Sequence, residues 1–183
     1  MYDFVIIHGS FGSPFENWSP WLFDELGKSG YDVLAPQLPT INQNYQNWEN
    51  VLSSYDQFID ENTSIIAHSL GPAFVLDYLI NKNKKVNNLY FAAPFYGLIN
   101  IEEFDEVNKS FFIFNDLGQS CKYFNKAICM FSDNDPYVPI NMSKDFSNKI
   151  DATVQIISGG KHLNESAGFN SFNEMLNAIK KYG

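Results

Sequence analysis

The sequence predicts an α/β protein, with one domain over residues 1–183 built as a three-layer α/β/α sandwich around a mostly parallel sheet of about six strands. Two observations predict this class. Short apolar runs of strand length alternate with longer segments whose apolar residues recur at helical spacing, and this alternation joins parallel strands through right-handed crossovers. The chain also has the length of one domain with a sizeable core, because domains commonly run to about 100–200 residues.

Each strand prediction rests on a short apolar run that ends in turn-forming residues. Residues 4–7 are apolar and stop at a glycine-bearing loop, and residues 31–35 are closed by Pro36 and Pro39. The remaining strands are predicted at residues 65–67, 86–93, 126–131 and 152–157.

Each helix prediction rests on apolar residues that fall on one helical face. These faces are Trp18, Trp21, Leu22 and Leu26; Trp48, Val51, Leu52, Tyr55, Phe58 and Ile59; residues 73–80; residues 140–150; and Phe169, Phe172, Met175, Leu176 and Ile179. Gly27 and Gly30 mark the end of the first helix. Residues 95–117 have weak periodicity, so we expect short helical pieces or irregular chain there.

The composition argues against several classes of partner. The chain has 12 basic and 21 acidic residues and a formal net charge of −9. Because nucleic acids and anionic membranes attract basic surfaces, neither is an expected partner. No apolar run approaches the roughly 20 residues of a membrane span. The sequence therefore favours a small-molecule partner; a protein partner is possible, although no sequence feature indicates one.

The cysteines and the N-terminus bear on location and cofactors. Cys121 and Cys129 are too few for a disulfide framework and lack the spacing of a metal site. The N-terminus begins a strand at once, without the pattern of a signal peptide. We therefore expect a cytoplasmic protein without a metal or another cofactor.

The sequence around Ser69 predicts a nucleophile. An apolar, β-branched run predicts a buried strand, and His68-Ser69-Leu70-Gly71 predicts a tight turn before a helix. Such a sharp turn brings two backbones together, so the residues two before and two after the serine have to be small, as Ala67 and Gly71 are. This is the geometry of the nucleophile elbow, G-x-S-x-G, with alanine in place of the first glycine. An ordinary strand-to-helix turn remains the alternative.

Asp135 and His162 are the predicted partners of Ser69. Functional residues of an open α/β sheet gather beyond the carboxyl ends of the strands. Asp135 follows the fifth predicted strand and His162 the sixth, while Ser69 follows the third. A serine hydroxyl needs an imidazole to take its proton, and the imidazole needs a carboxylate to fix its tautomer. We therefore expect His162 to be the base and Asp135 to orient it.

The other histidines and the cysteines are weaker candidates for chemistry. His8 ends the first strand and His68 adjoins the serine, where neither reaches the hydroxyl easily from the correct side. We assign both histidines to local structure. Cys129 lies within a strand as a small apolar residue, and Cys121 has no histidine placed to activate it.

Asp133 is the rival of Asp135 for the carboxylate role. Both lie in one loop, and Asp135 is preferred because Pro136 fixes the adjacent turn and Val138 anchors the loop on the core. Asp133 could equally be a surface carboxylate. The run Asp133-Asn134-Asp135 resembles the start of a calcium loop, but the required glycine and the later glutamate are missing.

An acyl-transfer site also needs N–H donors for the oxyanion. The N–H of Leu70, after the nucleophile, is one candidate, and the N–H of Ser10 in the loop after the first strand is the other. The fallback for the second donor is Phe11. Side chains that flank these loops could line a pocket, or could equally pack in the core: Phe11, Phe95, Tyr96 and Leu163.

Several strings together resemble the α/β-hydrolase superfamily, and more narrowly the small serine hydrolases of the YdeN and retinoblastoma-binding-protein-9 type. They are His8-Gly9, Ala35-Pro36-Gln37-Leu38-Pro39, His68-Ser69-Leu70-Gly71, residues 132–139, and Gly159-Gly160-Lys161-His162-Leu163-Asn164. The resemblance covers nearly the whole chain and implies an α/β-hydrolase fold with little or no cap. It also implies triad roles for Ser69, Asp135 and His162. The chain departs from the pattern at Ala67 and at Lys161.

The residues and the resemblance favour a carboxylesterase-like serine hydrolase that cleaves a small carboxylic ester or a related acyl compound. A thioesterase, an amidase or an acyltransferase would use the same residues. A protein-interaction module with little turnover is the alternative from another class, but such a module has no chemical reason to keep all three residues.

Overall fold

The protein is described by a computed structural model covering residues 1–113 and 116–183. Six strands form one sheet in which every pair is parallel, in the order β2-β1-β3-β4-β5-β6. The strands are β1 (Phe4–Ile7), β2 (Val33–Leu34), β3 (Ser64–His68), β4 (Asn88–Ala92), β5 (Lys126–Ser132) and β6 (Thr153–Ile157). The helices are α1 (Ser19–Lys28), α2 (Tyr45–Ser53), α3 (Gly71–Lys82), α4 (Glu102–Asn108), α5 (Ile140–Lys149) and α6 (Asn173–Tyr182).

Apolar clusters cover both faces of the sheet. Successive strand residues point to opposite faces, so Val5 and Ile7 belong to one cluster and Phe4 and Ile6 to the other. The first cluster includes residues of α2, α3 and α5, and the second includes residues of α1 and α6. A six-stranded parallel sheet between two helical layers confirms the predicted fold class.

The second strand is shorter than predicted. Residues 31–35 were expected to be extended, but β2 contains two residues and lies at the edge of the sheet. The Asp32 N–H donates to the Asp3 carboxylate at 2.8 Å. The Asp32 N–H is thus taken by a side chain, and regular pairing with β1 is found only at Val33 and Leu34.

The second helix also ends earlier than its apolar pattern predicts. It stops at Ser53, and Asp56–Phe58 forms a 3-10 turn in which Phe58 is 42% exposed. The Asp56 side chain accepts a hydrogen bond from Tyr78 and pairs with Lys84. These tertiary contacts hold the chain in the tighter turn, so Phe58 is not part of the buried helical face.

The C-terminal half agrees better with the predictions. Short helical pieces were expected in residues 95–117, and the described part contains α4 and a 3-10 turn at Lys109–Phe111; residues 114 and 115 lie outside the described residues. Helix α6 begins after Phe169, which was expected on its face, because Gly168 turns the chain at φ 91°. No helix in the described ranges is long and apolar enough to cross a membrane.

Candidate active site

Ser69 occupies a strained turn between β3 and α3. Its φ is 59°, a left-handed value that residues with a side chain rarely adopt, and its N–H donates to the Ala92 carbonyl at 2.9 Å. A Cβ atom at Gly71 would lie 3.0 Å from the His8 carbonyl and 3.2 Å from the Ala67 Cβ. The glycine at position 71 therefore leaves room for alanine at position 67.

His162 lies between Ser69 and Asp135. Its Nε2 is 3.0 Å from the Ser69 Oγ, and its Nδ1 is 2.7 Å from the Asp135 Oδ2. An ionised carboxylate only accepts, so Nδ1 carries the proton in a neutral ring and Nε2 faces the hydroxyl as an acceptor. This arrangement allows the imidazole to take a proton from the serine.

The Asp135 carboxylate is held by two backbone N–H groups that follow it in the same loop. Its Oδ1 accepts the N–H groups of Tyr137 at 2.8 Å and Val138 at 3.0 Å. Burial by itself would raise the pKa of Asp135, but the hydrogen bond from His162 and the two backbone donors outweigh burial and lower the pKa below its usual value. Asp135 therefore carries a negative charge at neutral pH.

Asp133, the rival carboxylate, holds the other side of the site. It accepts the Ser158 hydroxyl at 2.9 Å and the Gly159 N–H at 2.8 Å, and these bonds lower its pKa. The neighbouring Asn134 accepts the Lys161 N–H at 2.8 Å. Asp133 therefore anchors the loop that carries His162, while Asp135 contacts the imidazole itself.

The other two histidines are neutral and bound to the backbone. The His68 Nε2–H donates to the His162 carbonyl at 2.9 Å, and burial lowers the pKa of His68 to about 3. The His8 Nε2 accepts the Leu38 N–H at 3.0 Å while its Nδ1–H donates to the Gly9 carbonyl, and burial lowers the pKa of His8 as well. Their contacts agree with the expected local roles. The specific bond from His68 to the His162 loop has no signal in the sequence.

Neither cysteine has the environment of a reactive thiol. Both are free, and burial raises the pKa of Cys129 to about 12 and also raises that of Cys121. A thiol with a raised pKa holds its proton and is a poor nucleophile. Within residues 1–113 and 116–183, no group of three His, Cys, Asp or Glu side chains is arranged to hold a metal ion.

Two backbone N–H groups near Ser69 have no protein partner among the described residues: those of Ser10 and Leu70. Leu70 precedes α3, where N–H groups have no acceptor within the helix. The expectation that the Phe11 N–H could serve as the fallback oxyanion donor is wrong, because this N–H already donates to the Gln43 side chain at 2.9 Å. A Cβ at Gly9 would lie 2.8 Å from the Ser69 Cβ, so the Ser10 loop packs directly against the turn.

A cavity of about 220 Å³ opens beside Ser69 and His162. Phe11 and Phe95 line it, as expected. Sequence reasoning missed other lining residues, which come from α4, its flank and the Asp135 loop: Ile99, Phe104, Asn108, Tyr137 and Val138. Tyr137 could have been predicted as a lining residue, because it lies in the same loop as Asp135, two residues further along the chain.

Two predicted pocket residues point elsewhere. The Tyr96 hydroxyl donates to the Asp77 carboxylate at 3.0 Å and does not line the cavity. Leu163 is fully buried in the cluster on the α1 side of the sheet, and its carbonyl accepts the Trp18 indole N–H at 2.9 Å. Leu163 is a core residue, and Tyr96 is a partly buried residue that packs against the core.

The chain is similar to known hydrolases along its whole length. The sequence model of the family described as serine hydrolase matches residues 4–181. YdeN of Bacillus subtilis (strain 168) is 29% identical over 181 residues, which cover 97% of this chain and 94% of YdeN. The crystal structure of the B. subtilis ydeN gene product matches with a TM-score of 0.88 at 24% identity, covering 100% of this chain and 98% of that one.

More distant structures share the fold. A structure from work on carboxylesterases of the thaumarchaeon Nitrososphaera gargenis matches with a TM-score of 0.73 at 15% identity, covering 99% of this chain and 89% of that one. An extracellular α/β-hydrolase from a Paenibacillus species matches with a TM-score of 0.69 at 15% identity, covering 98% of each chain. The fold is that of the α/β-hydrolases.

Proposed function

The chain belongs to the serine hydrolase family, and on this premise we propose that it hydrolyses small carboxylic esters with Ser69 as the nucleophile. One observation carries the proposal: the His162 imidazole lies within hydrogen-bond distance of both the Ser69 hydroxyl and the Asp135 carboxylate. Nucleophile, base and orienting carboxylate are thus in contact in the order that acyl transfer requires.

The proposed reaction has two halves. Ser69 Oγ attacks the ester carbonyl carbon while His162 Nε2 takes the hydroxyl proton, and Asp135 stabilises the resulting imidazolium. The tetrahedral intermediate collapses as His162 returns the proton to the leaving alcohol. Water, deprotonated by His162, then attacks the acyl-enzyme, and the carboxylic acid leaves as Ser69 regains its proton.

The proposed oxyanion donors are the N–H groups of Leu70 and Ser10. Both lack another partner among the described residues, and close packing of Gly9 on Ser69 brings their two loops together. Donors already in position stabilise the negative charge without reorganising during the reaction.

The size and lining of the cavity support a small substrate. Its volume of about 220 Å³ is below the roughly 300–1,000 Å³ of pockets for drug-sized ligands. Phe95, Ile99 and Phe104 give it apolar walls suited to a short acyl chain. The Nitrososphaera structure comes from work on carboxylesterases, which agrees with an ester as the substrate.

We also propose a cytoplasmic location, supported by the exposed free thiol of Cys121.

The test is labelling with a fluorophosphonate probe, followed by kinetics on p-nitrophenyl acetate, butyrate and octanoate. We expect the wild type to label, Ser69→Ala to lose the label, and the two shorter esters to react best. Asp135→Asn should lower kcat by about 10⁴-fold, because the asparagine amide favours the wrong imidazole tautomer. The matched control is Asp133→Asn in the same loop, for which we expect a much smaller loss.

Three results would contradict all or part of the proposal. A folded wild type that does not label has no activated serine, and equal losses for the two asparagine variants would remove the specific role of Asp135. A preference for thioester, amide or acyl-acceptor substrates over all three esters would keep the nucleophile and replace the substrate class.

A further inference from the structure

A chain of amide groups beside the cavity has a defined orientation. The Phe11 N–H donates to the Gln43 Oε1 at 2.9 Å, and the Gln43 Nε2 donates to the Asn108 Oδ1 at 3.1 Å. A backbone N–H can only donate, so it sets which end of the Gln43 amide is oxygen, and Gln43 in turn sets the Asn108 amide. The Ser10 hydroxyl donates to the same Asn108 Oδ1 at 2.6 Å.

The Asn108 amide nitrogen therefore points away from this network. Asn108 is only 1% exposed, and no described residue accepts a hydrogen bond from its Nδ2. Among the described residues, only Ser53 Oγ and Tyr90 Oη are side-chain polar atoms that are both sealed from solvent and without a hydrogen-bond partner. Asn108 Nδ2 is not one of them, although no described residue accepts its hydrogen bonds. We therefore infer that this nitrogen retains contact with solvent. Asn108 also lines the cavity beside Ser69.

Helix α4 supports the same placement. Phe104 and Asn108 are four residues apart, which puts them on one face of the helix, and both line the cavity. Phe104 supplies an apolar wall and Asn108 adds a pair of N–H donors to it. Solvent can satisfy this donor in the free protein, so a ligand that displaces the solvent without accepting from Nδ2 leaves the donor unpaired at a cost in free energy, which a ligand with an accepting oxygen avoids.

We propose that Asn108 is a specificity-determining residue that donates to a second oxygen of the substrate. The substrate class is a short ester carrying a hydroxyl or keto oxygen near the scissile carbonyl. The inference rests on the proposed esterase function. Ser10 links the two polar contacts, because its hydroxyl donates to Asn108 Oδ1 at 2.6 Å and its N–H is the proposed oxyanion donor.

The charge of the site favours a neutral oxygen over a carboxylate. Glu16 lines the cavity, whereas no lysine or arginine of the described residues does. The whole chain carries a formal net charge of −9. A carboxylate at the position of the second oxygen would therefore be repelled, while a hydroxyl or a ketone binds without a charge penalty.

The kinetic test compares methyl butyrate with methyl 2-hydroxybutyrate and methyl 3-hydroxybutyrate. For the wild type we expect kcat/KM to be about tenfold higher for at least one hydroxy ester, as one added hydrogen bond provides. Asn108→Asp keeps an oxygen for Ser10 and Gln43 but replaces the free donors with an acceptor. A substrate hydroxyl could turn and donate to that carboxylate, whereas a ketone only accepts. The preference is therefore also measured with methyl 3-oxobutyrate, and in this variant the preference for the keto ester should disappear. Glu103→Gln, an exposed change on the same helix, should keep the preference.

A binding test separates this inference from the proposed function. In ¹⁵N-labelled Ser69→Ala protein, the Asn108 side-chain N–H signals should shift with the hydroxy esters and much less with methyl butyrate. Lack of preference in the wild type, or equal losses for methyl butyrate and methyl 3-oxobutyrate in Asn108→Asp, would overturn the inference and leave Asn108 as a clamp on the Ser10 loop. If the wild type fails the fluorophosphonate test, the esterase proposal falls and the N–H titration alone decides the role of Asn108.

Discussion

Replacing His68 with glutamine should flatten the dependence of stability on pH. The His68 ring is neutral in the fold because burial lowers its pKa to about 3, whereas in the unfolded chain the pKa is about 6.5. Between these values only the unfolded state binds the proton, so acid favours unfolding. The stability of the fold therefore rises with pH through this window and is lost as the pH falls.

The magnitude follows from the two pKa values. Full differential protonation changes the free energy of unfolding by about 1.4 kcal/mol per pH unit. With pKa values of about 6.5 and 3, His68 alone should remove about 2.5 kcal/mol of stability between pH 6 and pH 4. His68→Gln removes the titration while an amide N–H can still reach the His162 carbonyl, so the variant should lose about 2.5 kcal/mol less over the same range.

The assay is urea unfolding followed by tryptophan fluorescence at pH 6 and pH 4. The contribution of His8, whose pKa is also lowered, is present in both proteins and cancels in the comparison. Equal losses of stability in the two proteins would refute the reasoning. Should the variant not fold, the His68 ring protons of the wild type can be followed by NMR, and titration with a midpoint above pH 5 would refute it equally.

Two further predictions concern close packing at the site. Gly9→Ala should lower kcat/KM on short esters by about 100-fold, because its Cβ would lie 2.8 Å from the Ser69 Cβ; Gly27→Ala, which meets no atom within 4 Å, should leave activity unchanged. Equal activities of the two variants would contradict this packing argument. Trp18→Phe removes the donor to the Leu163 carbonyl and should lower the free energy of unfolding by about 2–3 kcal/mol in urea titrations, whereas a loss below about 0.5 kcal/mol would contradict the role of this bond.

Much of the fold was predictable because its central strands are buried on both faces. Every residue of β1 and β3 is buried, and such strands appear in a sequence as continuous apolar runs. The errors fall where tertiary contacts override the pattern. Helix α2 stops short because Tyr78 and Lys84 hold Asp56, and no local signal reveals those partners.

The three residues proposed for catalysis were predictable for a topological reason. Parallel strands carry their following loops to one edge of the sheet, so polar residues after β3, β5 and β6 meet there although they are distant in the chain. The choice of Asp135 over Asp133 also agrees with the contacts, since Asp135 bonds His162 while Asp133 bonds Gly159.

The pocket was less predictable, because flanking a loop in sequence does not determine the direction of a side chain. Tyr96 and Leu163 adjoin functional loops but point into the core. Phe104 and Asn108 come from a segment with weak periodicity, and folding places both on the cavity wall.

Residue order alone thus predicts most of the strands, the polar residues beyond their carboxyl ends and the family, because each of these depends on local pattern. Only the packed structure decides that His68 donates to the His162 carbonyl, that Gln43 accepts the Phe11 N–H, and that Gln43 donates to Asn108. Those features depend on hydrogen bonds between groups far apart in the chain. Such bonds form only once the sheet and its helices bring the partners together.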